Sequence, residues 1–209
     1  MVIGKRSFIP GRPKPGRGAR PGGVEKAADR ATDWAPVELS SSPMALDESA
    51  LRRESELRRL SVLLARGDNA YQYVVETAAR ICQTPMALIA LMDGDRQWVK
   101  ASVGVDTAPM PLNQTICQYV ITGGGATLVL PDATQDARTA RLPLVAGPPG
   151  VRLYAGVPLT TSQGVPLGAV AVVDLVPRQL TPVQIRTLEL LARQTMLLLE
   201  SGTPAAPPG

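Results

Sequence analysis

Residues 86–92 read MALIALM, seven apolar residues in succession, and no other segment constrains this chain as much. In a strand, successive side chains point to opposite faces. A strand of this composition therefore needs cover on both faces and belongs in the middle of a sheet. Asp93, Gly94 and Asp95 follow, and an Asp-Gly pair suits a tight hairpin turn. The next segment, RQWVKASV over 96–103, alternates. Its expected core face carries Gln97, Val99, Ala101 and Val103. The other face carries Arg96, Trp98, Lys100 and Ser102, half polar as a cleft wall would be.

The flanking segments supply the cover. Leu57, Leu60 and Leu64 recur at helical spacing among Arg and Glu residues, and Gly67 is the expected stop. Asp68 or Asn69 can cap a second helix, with Tyr71, Val74, Val75, Ala78 and Ile81 on one face and an end before Pro85. Residues 104–125 are punctuated by Gly and Pro around a short helix expected at 114–121. TLVL at 127–130 reads as a short strand. The connection from Pro131 to Gly150 is long enough to be functional or locally structured. VRLYAGVPLTT and PLGAVAVVD form a second hairpin around Ser162, Gln163 and Gly164, and Pro158 marks an edge or a bulge. Thr181, Pro182 and Gln184 make a capping-box start for a last helix reaching about Glu200. Its stripe of Ile185, Leu188, Leu191, Ala192, Thr195, Leu198 and Leu199 is wide enough to serve the sheet and a partner helix. The expected fold is α/β of the α+β type. A central antiparallel sheet carries the terminal helices on one face and a cleft covered by loops and the short helix on the other.

The ends differ in composition from this body. Residues 1–45 are rich in Gly, Pro, Arg and Ser without periodicity, and are expected to be a disordered tail. Residues 46–200 form the expected domain, and 201–209 a second disordered tail. The net charge of +4 belongs to the first segment: residues 1–22 hold six basic residues and no acid, whereas 46–209 hold 14 of each sign. The folded part is thus expected to have no nucleic-acid face. The tail reads as a solvated linker or as an electrostatic contact for nucleic acid or anionic membrane. No run is long enough to cross a bilayer and no secretory signal is evident, so a cytoplasmic location is expected.

The chain has no histidine, which excludes Ser-His and Cys-His nucleophile pairs, His metal sites and His-ligated haem. Its two cysteines, Cys82 and Cys117, have no zinc-binding pattern. No metal and no cofactor is expected.

The run MALIALMDGDRQWVKASVG resembles the first hairpin of GAF domains, especially those ahead of bacterial diguanylate cyclases and sensor histidine kinases. The segment from VLPDATQDARTARLPLVAGPPG through VRLYAGVPLTTSQGVPLGAVAVVD to LVPRQLTPVQ resembles the second half of the same domains, so the likeness covers about 55–200. It implies a ligand cleft on the sheet face away from the terminal helices. By that resemblance the cleft is lined by Trp98, Lys100, Thr115, Cys117, Asp132, Asp136, Arg138, Tyr154 and Asp174. Many relatives have a Phe-Cys-x-His type segment where this chain has Ile116-Cys117-Gln118-Tyr119, which argues against a bilin chromophore.

Each of these residues also has a plainer role. Cys117 reads as a reactive thiol or a buried small hydrophobe. Asp132, Asp136 and Arg138 read as ligand contacts or as caps and an ion pair. Trp98 stacks on a ligand or covers a wall, and Lys100 meets an anion or water. The expected function is a GAF-type sensory or regulatory module that is not an enzyme. It would bind a small molecule, or a partner signalling protein or second copy through the terminal helices. No catalytic output segment is expected after residue 200, so signalling would pass through that partner or dimer, by a cleft-loop shift over 131–150. The alternatives are a thiol-dependent methionine sulfoxide reductase, which needs a resolving cysteine within reach of Cys117, and a ligand-free scaffold.

Overall fold

The computed structural model describes residues 43–60, 69–105 and 108–201. The expected tails, apart from the ends of the outer helices, lie outside these residues, as do Leu64, Gly67 and Asp68. The elements run α1 (Pro43–Arg59), α2 (Asn69–Cys82), β1 (Met86–Asp93), β2 (Arg96–Val103) and β3 (Met110–Pro111). A 3-10 turn (Leu112–Gln114), α3 (Cys117–Thr122), β4 (Leu128–Leu130) and α4 (Pro143–Ala146) follow, then β5 (Leu153–Thr160), β6 (Pro166–Asp174) and α5 (Pro182–Ser201). One six-stranded sheet has the order β3-β2-β1-β6-β5-β4, with every pair antiparallel.

β1 lies inside the sheet between β2 and β6, and six of its eight residues are buried, as an all-apolar strand requires. Gly94 and Asp95 turn the first hairpin, with Gly94 at φ 57°, where a side chain is strained.

The sheet divides two apolar clusters. One face packs Ala87, Ile89, Leu91, Leu153, Ala155 and Val172 against α1, α2 and α5, through Leu57, Val75, Ala78, Leu188 and Leu199 among others. The other packs Leu88, Ala90, Met92, Ala169 and Ala171 against α3, α4 and the connection between β4 and β5, through Val120, Ile121, Ala133, Leu142 and Val145. The terminal helices thus share a face, as the order of elements predicts. At roughly 1.5–3 kcal/mol per buried aliphatic side chain, these two layers drive folding with little aromatic bulk beyond Tyr71 and Tyr154.

Ile81, expected on the buried face of α2, is 39% exposed, while Ala79 and Cys82 are buried. The capping box of α5 forms: the Gln184 amide donates to Thr181 Oγ1 at 3.3 Å and the Thr181 amide to Gln184 Oε1 at 2.8 Å. The same Gln184 donates to the Ile81 carbonyl at 3.0 Å, tying α5 to the end of α2. Pro158 lies in β5 opposite Ala169 of β6 and beyond Tyr154–Gly156, the stretch that pairs with the short β4, so β5 has an edge on that side at Pro158.

Alternation in β2 is interrupted. Ile89 faces Ala101 and Ala90 faces Val99, so Lys100 is the extra residue of a β-bulge. Directly opposed residues share a face. Ala101 and Val103 therefore pack towards the helices, and Gln97 and Val99 point the opposite way, so the single core face expected of these four residues is split between both layers.

Candidate functional site

The cleft forms between the sheet and its cover of α3, α4 and loops. Its volume is about 340 Å³, within the roughly 300–1,000 Å³ usual for small-molecule sites. Met86, Leu88 and Val173 make its floor from β1 and β6. Ile116, Cys117, Leu144, Pro149 and Val151 belong to the cover, and Gly104, Val105 and Met110 lie beside β2. Gln97, Thr115 and Tyr154 complete a lining in which no described side chain is charged. A larger and more open groove of about 490 Å³ runs between α5 and the β4–β5 edge, lined by Glu189 and Arg193. The smaller cleft is the better candidate because five strands, helices and loops converge on it and its walls are mostly apolar.

Cys117 opens α3 and is 3% exposed. Its Sγ lies 3.1 Å from the Tyr154 hydroxyl, with either group able to donate. Gly156, two residues along β5, makes this approach possible: a Cβ there would lie 2.6 Å from the Tyr154 hydroxyl. Burial pushes the Cys117 thiol up to about 11 and the Tyr154 phenol well above its ordinary value. Both are neutral at pH 7. Thr115 is buried, and its hydroxyl donates to the Leu112 carbonyl at 2.9 Å.

Of the nine residues expected at the cleft, the structure brings Thr115, Cys117 and Tyr154 together and places the other six elsewhere. Trp98 opposes Leu91 of the helix-side cluster, so the bulge leaves it on the helix face, 41% exposed. Lys100 is the bulged residue, and its Nζ sits 5.1 Å from the centroid of the Tyr71 ring on α2. Asp174, opposite Leu153, accepts from the amides of Leu175 and Val176 at 2.7 and 3.3 Å and from Arg178 Nε at 3.0 Å.

The remaining three hold the long connection. Asp132 accepts from the Thr134 amide at 3.0 Å and its hydroxyl at 2.7 Å, and these bonds lower its pKa. Asp136 takes two bonds from the Arg138 guanidinium, at 2.9 and 2.6 Å, which hold its carboxyl below the usual range. Arg138 also lies 5.7 Å from the Tyr119 ring centroid, and the Tyr119 hydroxyl donates to the Arg138 carbonyl at 2.9 Å. The connection is thus locally structured and tied to α3.

Sequence reasoning missed Gln97 as a cleft residue. It is 5% exposed, and its Oε1 is a buried polar atom with no hydrogen-bond partner. The only signal available was a polar residue on an expected core face.

The sequence profile of the GAF domain family matches residues 67–199. The chain belongs to the GAF domain family. A cyclic di-GMP phosphodiesterase of Pseudomonas aeruginosa is 36% identical over 159 residues, which are 76% of this chain and 27% of that protein. The chain therefore spans about a quarter of that relative's length. Among solved structures, the GAF domain of an Acinetobacter phosphoenolpyruvate-protein phosphotransferase is 18% identical at a TM-score of 0.55, covering 80% of this chain and 99% of that one. The free methionine-R-sulfoxide reductase of Neisseria meningitidis, solved with its substrate, is 20% identical at a TM-score of 0.54, covering 77% of this chain and 95% of that one.

GAF domains are typically sensory modules of signalling proteins, and this chain has that fold and that kinship. The expectation of a protein that is not an enzyme is corrected by the same comparisons. The 36%-identical relative is named as a phosphodiesterase, and the Neisseria protein of this fold is named as a reductase. Lack of histidine removes imidazole chemistry and leaves other chemistry open. The two thiols here are not placed as a reacting pair: Cys82 lies in the helix-side cluster and Cys117 in the opposite one, with the sheet between them.

Proposed function

We propose that this GAF domain is a regulatory module in bacterial signalling that handles cyclic di-GMP, and that its cleft holds a small molecule. The observation that carries the reading is the cleft: about 340 Å³ of mostly apolar space inside a fully formed domain. Well-packed interiors keep few voids larger than a water molecule. The signalling context rests on the 36% identity to the Pseudomonas phosphodiesterase across 76% of this chain. Occupancy would reposition the 131–150 connection, which covers the cleft through Leu144 and Pro149, and bias the sheet beneath α5.

Native mass spectrometry of the chain after incubation with bacterial small-molecule extract tests this. The expected result is an added small-molecule mass that disappears in Val173→Trp, which fills the floor of the cleft. No added mass, or the same mass on the filled variant, counts against the reading.

Output through a second copy fits the surface of α5. Val183, Leu190 and Leu197 recur every seven residues and are 73%, 52% and 67% exposed. They form one line of a heptad repeat, one of the two positions through which paired helices meet.

A further inference from the structure

Among the described residues, four polar side chains line the cleft: Gln97, Thr115, Cys117 and Tyr154. Three of them have partners inside the wall. Thr115 donates to a backbone carbonyl, and Cys117 and Tyr154 face each other. Gln97 alone has a buried oxygen with no partner. Nearly all buried polar groups in folded proteins are hydrogen-bonded, so an orphaned amide oxygen at a cleft wall needs a physical reason.

The chain places this amide deliberately. Gln97 opposes Met92 on β1, whose side chain lies in the cleft-side cluster, and shares that face with Val99, while beyond the bulge at Lys100 Ala101 and Val103 face the helices. Its terminal torsion is broad and roughly two-fold, so the amide plane can turn its oxygen or its NH₂ towards an occupant at little cost.

The second observation is electrical. No described lining residue carries charge, and the thiol and phenol in the wall are neutral. An anion entering such a space loses its hydration and gains no cation in return.

We propose that the cleft selects a neutral, largely apolar molecule presenting one N–H or O–H donor, which is received by the side-chain amide of Gln97. This rests on the cleft being a ligand site. It excludes phosphate-bearing ligands, cyclic di-GMP included, from this cleft.

Indole, 1-methylindole and indole-3-carboxylate serve as probes in calorimetric titrations of the full chain. They share one ring system and differ in donor and in charge. Indole is expected to bind at least about tenfold more tightly than 1-methylindole, a tenfold ratio being about 1.4 kcal/mol. That ratio should collapse towards one in Gln97→Met, which keeps the length of the side chain and removes the amide. Indole-3-carboxylate is expected to bind more weakly than indole at pH 7. In the parent, side-chain amide NMR signals of Gln97 should shift with indole and not with 1-methylindole, a readout independent of how well the variant folds.

Equal binding of indole and 1-methylindole, abolished by Val173→Trp, would overturn the donor rule while leaving the cleft as a ligand site. A water resident on Gln97 Oε1 predicts that same equality. Tighter binding of the carboxylate would overturn neutrality. Failure of all three probes to bind overturns the proposed ligand class. Retention of a cleft-dependent mass in the extract experiment then shows that the broader reading survives, and its absence shows that both have failed.

Discussion

A thiol beside a phenol inside an apolar wall is held neutral by burial, and this ties stability to pH. The folded-state pKa of Cys117 is raised from 9.0 to about 11. A group whose folded pKa is raised contributes stability that is complete below its unfolded pKa and is lost as pH rises to the folded one. The window for Cys117 therefore runs from about pH 9 to about pH 11. A shift of this size corresponds to about 2–3 kcal/mol. Urea unfolding of the parent and of Cys117→Ser, which keeps a hydrogen-bonding group and does not titrate, should show a difference that narrows by about that amount across the window. A difference that stays constant with pH would mean that the thiol is not desolvated as described. At the other end of the scale, Asp136 has a lowered folded pKa, so its hold on Arg138 is present above the unfolded value and is lost as pH falls through the folded one.

Between elements, the decisive local feature is one extra residue. Lys100 separates Val99, which faces the cleft-side cluster, from Ala101, which faces the helices. Deleting Lys100 would restore strict alternation without moving either neighbour to a new face. The deletion is expected to fold cooperatively with a loss of about 1 kcal/mol, mainly its contact with the Tyr71 ring. Thermal unfolding followed by circular dichroism checks it, and loss of the folded transition would show that the register is misassigned. Element starts and stops were legible where they rest on local chemistry. The Thr181–Gln184 box, the Gly94–Asp95 turn and the all-apolar β1 are each written in adjacent residues. The short helix was expected at 114–121 and forms at 117–122 behind a 3-10 turn. The drift is of the size that fraying helix ends permit.

For the molecule as a whole, the helix face of the sheet leaves α5 with a buried side and an exposed apolar repeat. If that repeat seats a second copy, Leu190→Glu with Leu197→Glu should convert a dimer to a monomer in size-exclusion chromatography with light scattering. Both residues are more than half exposed, so the monomer should keep its stability within about 1 kcal/mol. A parent that runs as a monomer at all concentrations would remove the proposal.

The layered plan was readable from sequence. A run apolar on every residue requires a covered central strand, and helical stripes on either side in the chain require helices to cover it. The cleft's occupants were not readable in the same way. Trp98 and Lys100 were expected at the cleft by resemblance, in agreement with an alternation that assumes no inserted residue, and a single bulge sent both to the helix face. Asp132, Asp136, Arg138 and Asp174 have the chemistry of ligand contacts, yet each is engaged by neighbours in its own turn; local bonds and an ion pair were the other reading of the first three, and the folded loop decides between the two. The two-layered sheet that MALIALM demands is therefore what the sequence determined by itself, because burial of a contiguous apolar run is a local requirement. Tertiary structure alone decided that Gln97 keeps an unpartnered oxygen at the cleft wall, because hydrogen-bond satisfaction depends on groups brought together from distant parts of the chain.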